Sequence, residues 1–217
     1  MKKILLLLIP IFFLFSCTNS SGSVPIISES GSTKTILAIG DSLTIWYGLP
    51  IEESYPSQLE KKLKELWYLY IVQNAGISGD TSAWLLSRID WILDGASPDI
   101  IILCIGANDA LQWKSVDDME KNIRTIVTKI QAKKISILFV GMRAPFNLGN
   151  EYRKQFDGTY QKIADEYELS FMPFFLEWVA LNQKYNQDDR IHPNREGYSI
   201  IVSNIIKFLD NTDLLKK

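Results

Sequence analysis

The chain of 217 residues carries 23 basic and 25 acidic side chains, a formal charge of -2, and 47% apolar residues. This is the composition of one substantial domain with a real core, and it lacks the basic excess that a nucleic-acid backbone demands. Two cysteines, Cys17 and Cys104, exclude a disulfide framework, and the single histidine, His192, must serve any mechanism that needs an imidazole.

The N-terminus reads as an address. Lys2 and Lys3 precede an apolar run from Ile4 to Phe15, which is interrupted by Pro10 and is shorter than the ~20 residues of a spanning helix. Residues 1–16 therefore have the layout of a secretory signal. The run ends in Leu14-Phe15-Ser16-Cys17, which resembles the lipobox of bacterial lipoproteins. The resemblance implies cleavage before Cys17 and lipid on its sulfur and new amino group; the alternative is a plain signal peptide with an incidental cysteine. Residues 17–34, rich in serine and small polar residues with Pro25 and two glycines, read as a flexible tether. Several acyl chains exceed the two signals that stable anchoring requires. The expected location is the bacterial cell envelope, anchored by lipid to a membrane on its periplasmic or surface side.

From Thr35 to the end, at 217, the chain reads as one domain of alternating strands and helices. Thr35–Ile39 is a short apolar run bounded by glycine, a buried strand. Pro56–Leu66 has helical spacing through Leu59, Leu63 and Leu66, and Tyr70–Val72 is a second strand. Thr81–Leu93 places Leu85, Ile89 and Ile92 on one helical face, with Asp80 as its cap. Asp99–Ile105 is unbroken and apolar, as a strand buried on both faces must be. A helix capped near Ser115 runs to Ala132, Ile135–Val140 is a fourth strand, and Asn150–Tyr167 is another helix. Leu169–Met172 forms a fifth strand, and Arg195–Leu209 the last helix. Such alternation predicts an α/β fold with a parallel sheet covered on both faces. Chemistry is then expected in the crevice beyond the carboxyl ends of the strands.

Four polar blocks fall there. Gly40-Asp41-Ser42-Leu43 follows the first strand and can present a serine hydroxyl beside free backbone N–H groups, or can be a plain turn. It lacks the Gly-x-Ser-x-Gly of an α/β-hydrolase elbow. Gly79, in the block Asn74 to Thr81, can bring a bare N–H close to a substrate oxygen, or serve only the backbone before a helix. Asn108, in Gly106-Ala107-Asn108-Asp109, can aim an amide N–H at a reacting carbonyl, or close the strand in an Asx-turn. In Asp189-Arg190-Ile191-His192-Pro193 the acid precedes the histidine by three positions, so one turn can direct both at one pocket. The alternatives there are an exposed loop histidine, or a metal site with Asp188 that no second histidine supports.

The order Ser, Gly, Asn, Asp-x-x-His resembles the signature of the SGNH (GDSL) hydrolases, over nearly the whole domain. Within that family the segments Ser78-Gly79-Asp80-Thr81-Ser82, Pro173-Phe174-Phe175-Leu176-Glu177 and Gln187 to Arg195 are similar to the bacterial thioesterase, lysophospholipase and arylesterase group. The resemblance implies a three-layer α/β/α sandwich on a flavodoxin-like sheet of about five parallel strands. It also implies Ser42 as nucleophile, His192 as base and Asp189 as its partner, with Ser42, Gly79 and Asn108 forming the oxyanion hole. No metal or organic cofactor is needed for such acyl transfer. Aromatic and aliphatic residues flank these motifs and suggest an apolar groove: Trp46 and Tyr47, Leu111 and Trp113, and Met142, Pro145, Phe146 and Leu148. Trp46, Leu111, Trp113 and Phe146 are the candidate substrate contacts. Cys104, inside a strand, reads as a packed small residue. The expected substrates are fatty acyl esters such as lysophospholipids, with thioesters and aryl esters cleaved in vitro, and the expected state is a monomer. The rivals are a surface polysaccharide O-acetyl esterase and a non-catalytic binding lipoprotein.

Overall fold

Apolar runs become strands of three to seven residues, and the computed structural model, which describes residues 33–216, assembles five of them into one parallel sheet. The expected signal segment at 1–16, the lipidation candidate Cys17 and all but the end of the tether lie outside the described residues. Strand β1 (Lys34–Gly40) is interior. It pairs with β2 (Tyr70–Asn74) on one side, Ile36 opposite Val72, and with β3 (Ile100–Cys104) on the other, Ile36 opposite Ile100. β4 (Ser136–Val140) and β5 (Ser170–Met172) continue outward, giving the order β2-β1-β3-β4-β5. This is the flavodoxin-like order, and its switch point, where strands leave β1 in opposite directions, opens a crevice between the carboxyl ends of β1 and β3. Every residue of β3 is buried, as its uninterrupted apolar sequence requires.

Among the described residues, five helices of eleven or more residues cover the two faces. α1 (Tyr55–Glu65) packs beside α6 (Arg195–Asn211), while α2 (Ser82–Gly95), α4 (Val116–Ala132) and α5 (Asn150–Glu166) lie side by side. Their inward stripes, such as Leu85, Ile89 and Ile92 on α2 and Ile123, Ile126 and Ile130 on α4, merge into one core with the strands.

Two details depart from the sequence expectation. The cap of α2 is Thr81, whose hydroxyl accepts from the Trp84 amide, because the Asp80 carboxylate is drawn instead to the guanidinium of Arg88. The segment after Gly106 is a short helix, α3 (Ala107–Leu111), rather than a loop. Its five residues are too few to show helical periodicity in sequence.

Candidate active site

At the end of β1 the chain turns at once. The amides of Thr44 and Ile45 both donate to the Asp41 carbonyl oxygen at 3.0 Å, and the Leu43 amide donates to Asp41 Oδ1 at 2.9 Å. From the opposite side, the buried hydroxyl of Tyr198 donates to the Leu43 carbonyl at 3.1 Å. Ser42 is held half-buried within this doubly fastened turn.

The loop before α6 supplies the base. Asn186 and Pro193 form an antiparallel bridge, the Gln187 amide donates to the His192 carbonyl at 2.8 Å, and Arg190 turns the corner with φ 60°. This closes a small ring of chain around Asp189 and His192. Asp189 Oδ1 accepts from the amides of Ile191 (2.9 Å) and His192 (3.0 Å), and Oδ2 lies 2.6 Å from His192 Nδ1. Burial opposes the charge on Asp189, but the His192 amide, the His192 ring and the Ile191 amide outweigh it and hold the carboxyl below its usual range. On the far side of the ring, His192 Nε2 is 2.9 Å from Ser42 Oγ, across 150 positions of sequence. The Tyr47 ring rests against the imidazole with centroids 4.4 Å apart, and the Gln187 side chain donates to the Tyr47 carbonyl at 2.9 Å. The sequence reading missed both of these supports, which no spacing rule signals.

Around Ser42 Oγ stand three sources of N–H. Gly79 sits at φ 84°, a conformation that favours glycine, with open space where a side chain would project. Among the described residues, the amides of Ser42 and Gly79 donate to no protein acceptor. The third is Asn108 in the first turn of α3, whose Nδ2 donates to the Asp80 carbonyl at 3.0 Å and to Asp41 Oδ2 at 3.1 Å. Gly106 starts this helix at φ 111°, where a side chain would run into the Tyr160 hydroxyl. The loops carrying these groups are tied together. Asp109 accepts from the Ser82 amide (2.7 Å) and hydroxyl (2.6 Å), and Arg88 joins Asp80 to the Ala75 carbonyl. The structure thus brings Ser42, Gly79, Asn108, Asp189 and His192 to one crevice.

Asp41 is 1% exposed. Burial, with the nearby charges of Asp80 and Asp109, pushes its carboxyl up to about 7 despite the Leu43 hydrogen bond. A raised acid binds its proton more tightly in the folded state, so its contribution is favourable below pH ~4 and is lost as pH rises through about 7. The expected loss is about 4 kcal/mol over that window. Thermal unfolding of wild type and Asp41→Asn from pH 4 to 8 checks this. The variant's melting temperature gains on wild type as pH rises, and parallel curves would contradict the assignment. Cys104 lies beneath, buried, with its thiol pushed up by burial and then by Asp41, so it remains an inert packing group.

The apolar candidates divide. Met142 and Leu148 belong to the core rather than to a groove. Trp46, Leu111, Trp113 and Phe146 are exposed at the crevice edge, although Leu111 ends α3 and Phe146 opens a 3-10 turn (Phe146–Leu148) instead of lying in plain loop. Trp113 leans on Tyr152, and Phe146 on the Arg153 guanidinium. Among the described residues, eleven of the sixteen exposed large apolar side chains lie on segments that follow the carboxyl ends of the strands or open α2, so the exposed grease is concentrated on the side that bears Ser42. By contrast, a groove of about 440 Å³ along α4 and α5 is lined by Glu120, Arg124 and Lys162, which are ion-paired with one another.

A parallel sheet with a serine, an imidazole and a carboxylate in line at its switch point defines a class of hydrolase, and comparison with known proteins places the chain within it. The chain belongs to the GDSL-like lipase/acylhydrolase family, whose profile matches residues 38–200, and it is a carboxylic ester hydrolase of the SGNH type. It is 34% identical to an arylesterase of Vibrio mimicus over 78% of this chain and 85% of that protein. It is 33% identical to thioesterase 1/protease 1/lysophospholipase L1 of Escherichia coli K12, over 83% and 86%. The crystal structure of AlinE4, an SGNH-hydrolase family esterase, shares 40% identity and superposes with a TM-score of 0.72, covering 84% of this chain and 97% of that one.

Proposed function

We propose that the enzyme hydrolyses fatty acyl esters such as lysophospholipids, and cleaves acyl thioesters and aryl esters in vitro, through a Ser42–His192–Asp189 triad. The carrying observation is the pair of contacts on one imidazole: Nε2 at 2.9 Å from Ser42 Oγ and Nδ1 at 2.6 Å from Asp189 Oδ2. Asp189 holds the proton on Nδ1, leaving Nε2 as acceptor. As Oγ attacks the acyl carbonyl, Nε2 takes its proton, and a bond forms from Oγ to carbon. The carbonyl electrons move onto oxygen, which is met by the amides of Ser42 and Gly79 and by Asn108 Nδ2. Both hydrogens of Asn108 already have acceptors, so the new anion takes a share in one of them. His192 then protonates the leaving alcohol or thiol, and water repeats the sequence to release the acid. One chain supplies every group, which supports a monomer.

The exposed apolar rim and the names of the relatives, which include lysophospholipase, support a long acyl chain. The lipobox-like segment ending at Cys17 supports anchoring of the domain to a membrane of the cell envelope. An acyl-length series of p-nitrophenyl esters tests the substrate class. Specificity, kcat/KM, rises from acetyl to octanoyl by about ten-fold or more, since each buried methylene is worth up to ~0.8 kcal/mol. Replacing Trp113 and Phe146 by alanine raises KM for the octanoyl ester several-fold and leaves the acetyl ester unchanged. A strict acetyl preference points instead to an O-acetyl esterase. Absence of fluorophosphonate labelling on folded protein points to a binding module.

A further inference from the structure

We infer that Asp41 is a positioning residue for the oxyanion hole, setting which way the Asn108 carboxamide faces. The inference rests on the triad reading above and deepens it. Asp41 divides its two oxygens: Oδ1 accepts from the Leu43 amide at 2.9 Å and so shapes the turn that carries Ser42, while Oδ2 accepts from Asn108 Nδ2 at 3.1 Å. Ionised, as it is above pH about 7, the Asp41 carboxylate only accepts, so a carboxamide facing Oδ2 must then present its nitrogen. The Asp80 carbonyl, 3.0 Å from the same nitrogen, makes the same demand. One buried side chain therefore couples the nucleophile's turn on β1 to the amide donor after β3. A carboxylate is required, because no other side chain of this size offers two acceptors and no hydrogen.

Asp41→Asn separates these roles with almost no change of shape. If the substituted carboxamide keeps its oxygen on the Leu43 amide, its NH2 meets the NH2 of Asn108. Asn108 must then turn over or move, and an acceptor or a gap replaces the donor at the oxyanion. At about pH 8–9, where Asp41 is ionised, the expected result is a fall in kcat of about 10- to 100-fold with KM nearly constant, bounded by the 10²- to 10³-fold loss that removal of an oxyanion donor brings. In an Asn108→Ala background the same change alters kcat by less than about two-fold, because the residue through which Asp41 acts is gone.

A purely structural role gives a different pattern, with equal loss in both backgrounds or loss confined to KM. Either result overturns the inference and leaves the triad standing. Unchanged kcat in Asn108→Ala overturns the inference by removing Asn108 from the oxyanion hole, whereas failure of the triad reading shows separately, as retained turnover in Ser42→Ala. Asp41→Ser, whose hydroxyl can still accept from the amide two residues on but is too short to reach Asn108, carries the same cycle should Asp41→Asn not fold, with the same outcomes deciding it.

Discussion

Ser42→Ala lowers kcat by about four to six orders of magnitude, the loss that follows removal of a nucleophile acting as a unit with its base. Ser42 does little else in the structure. It is half-buried, its turn is fastened by Asp41 and Tyr198, and its hydroxyl is engaged with His192 Nε2. Deleting one oxygen therefore leaves the fold intact, with a stability change within about 1 kcal/mol, and leaves KM close to wild type because the acyl chain is bound elsewhere. Hydrolysis of an octanoyl ester, read beside thermal unfolding and fluorophosphonate labelling, checks the expectation. His192→Ala costs about as much, and the double variant no more than either alone. A Ser42→Ala protein that keeps more than a few per cent of turnover would remove the serine from the mechanism.

Asp189→Asn has the next largest effect, about 10³- to 10⁴-fold in kcat, with the protein still folded. Oδ1 of Asp189 already serves two backbone donors, the amides of Ile191 and His192. The substituted carboxamide keeps its oxygen there, so its NH2 faces His192 Nδ1. That nitrogen must then accept, which moves the ring proton to Nε2, where it points at Ser42 Oγ and the base can no longer take the hydroxyl proton. Loss of catalysis through the wrong tautomer is worth about 10⁴ in a serine protease triad. Asp189→Ala frees the ring and lets it rotate, so the alanine variant is expected to be no worse than the asparagine. If asparagine instead retains most activity, Asp189 has no part in setting the tautomer.

Much of this was legible in the chain because the signals are local. The apolar runs that became β1 and β3, the Ser115 cap of α4 and the inward stripes of α2 and α4 follow from burial and capping. Asp189 and His192 lie three positions apart, so their bond was readable too. What escaped depends on contacts distant in sequence. Asp41 read as a turn former, because its tie to Asn108 spans 67 positions. Asp80 read as a helix cap, because nothing local announces the pull of Arg88. Met142 and Leu148 read as groove residues, since an apolar side chain after a strand can face either way and only the packed core decides.

The ring of chain closed by the bridge between Asn186 and Pro193 makes acid and base a single unit. Acid and base ride on one loop between β5 and α6, whereas the serine and the amide donor sit just past the interior strands β1 and β3. Any displacement of that loop moves the imidazole and carboxylate as a pair, so their mutual bond does not depend on the register of the sheet that carries the serine.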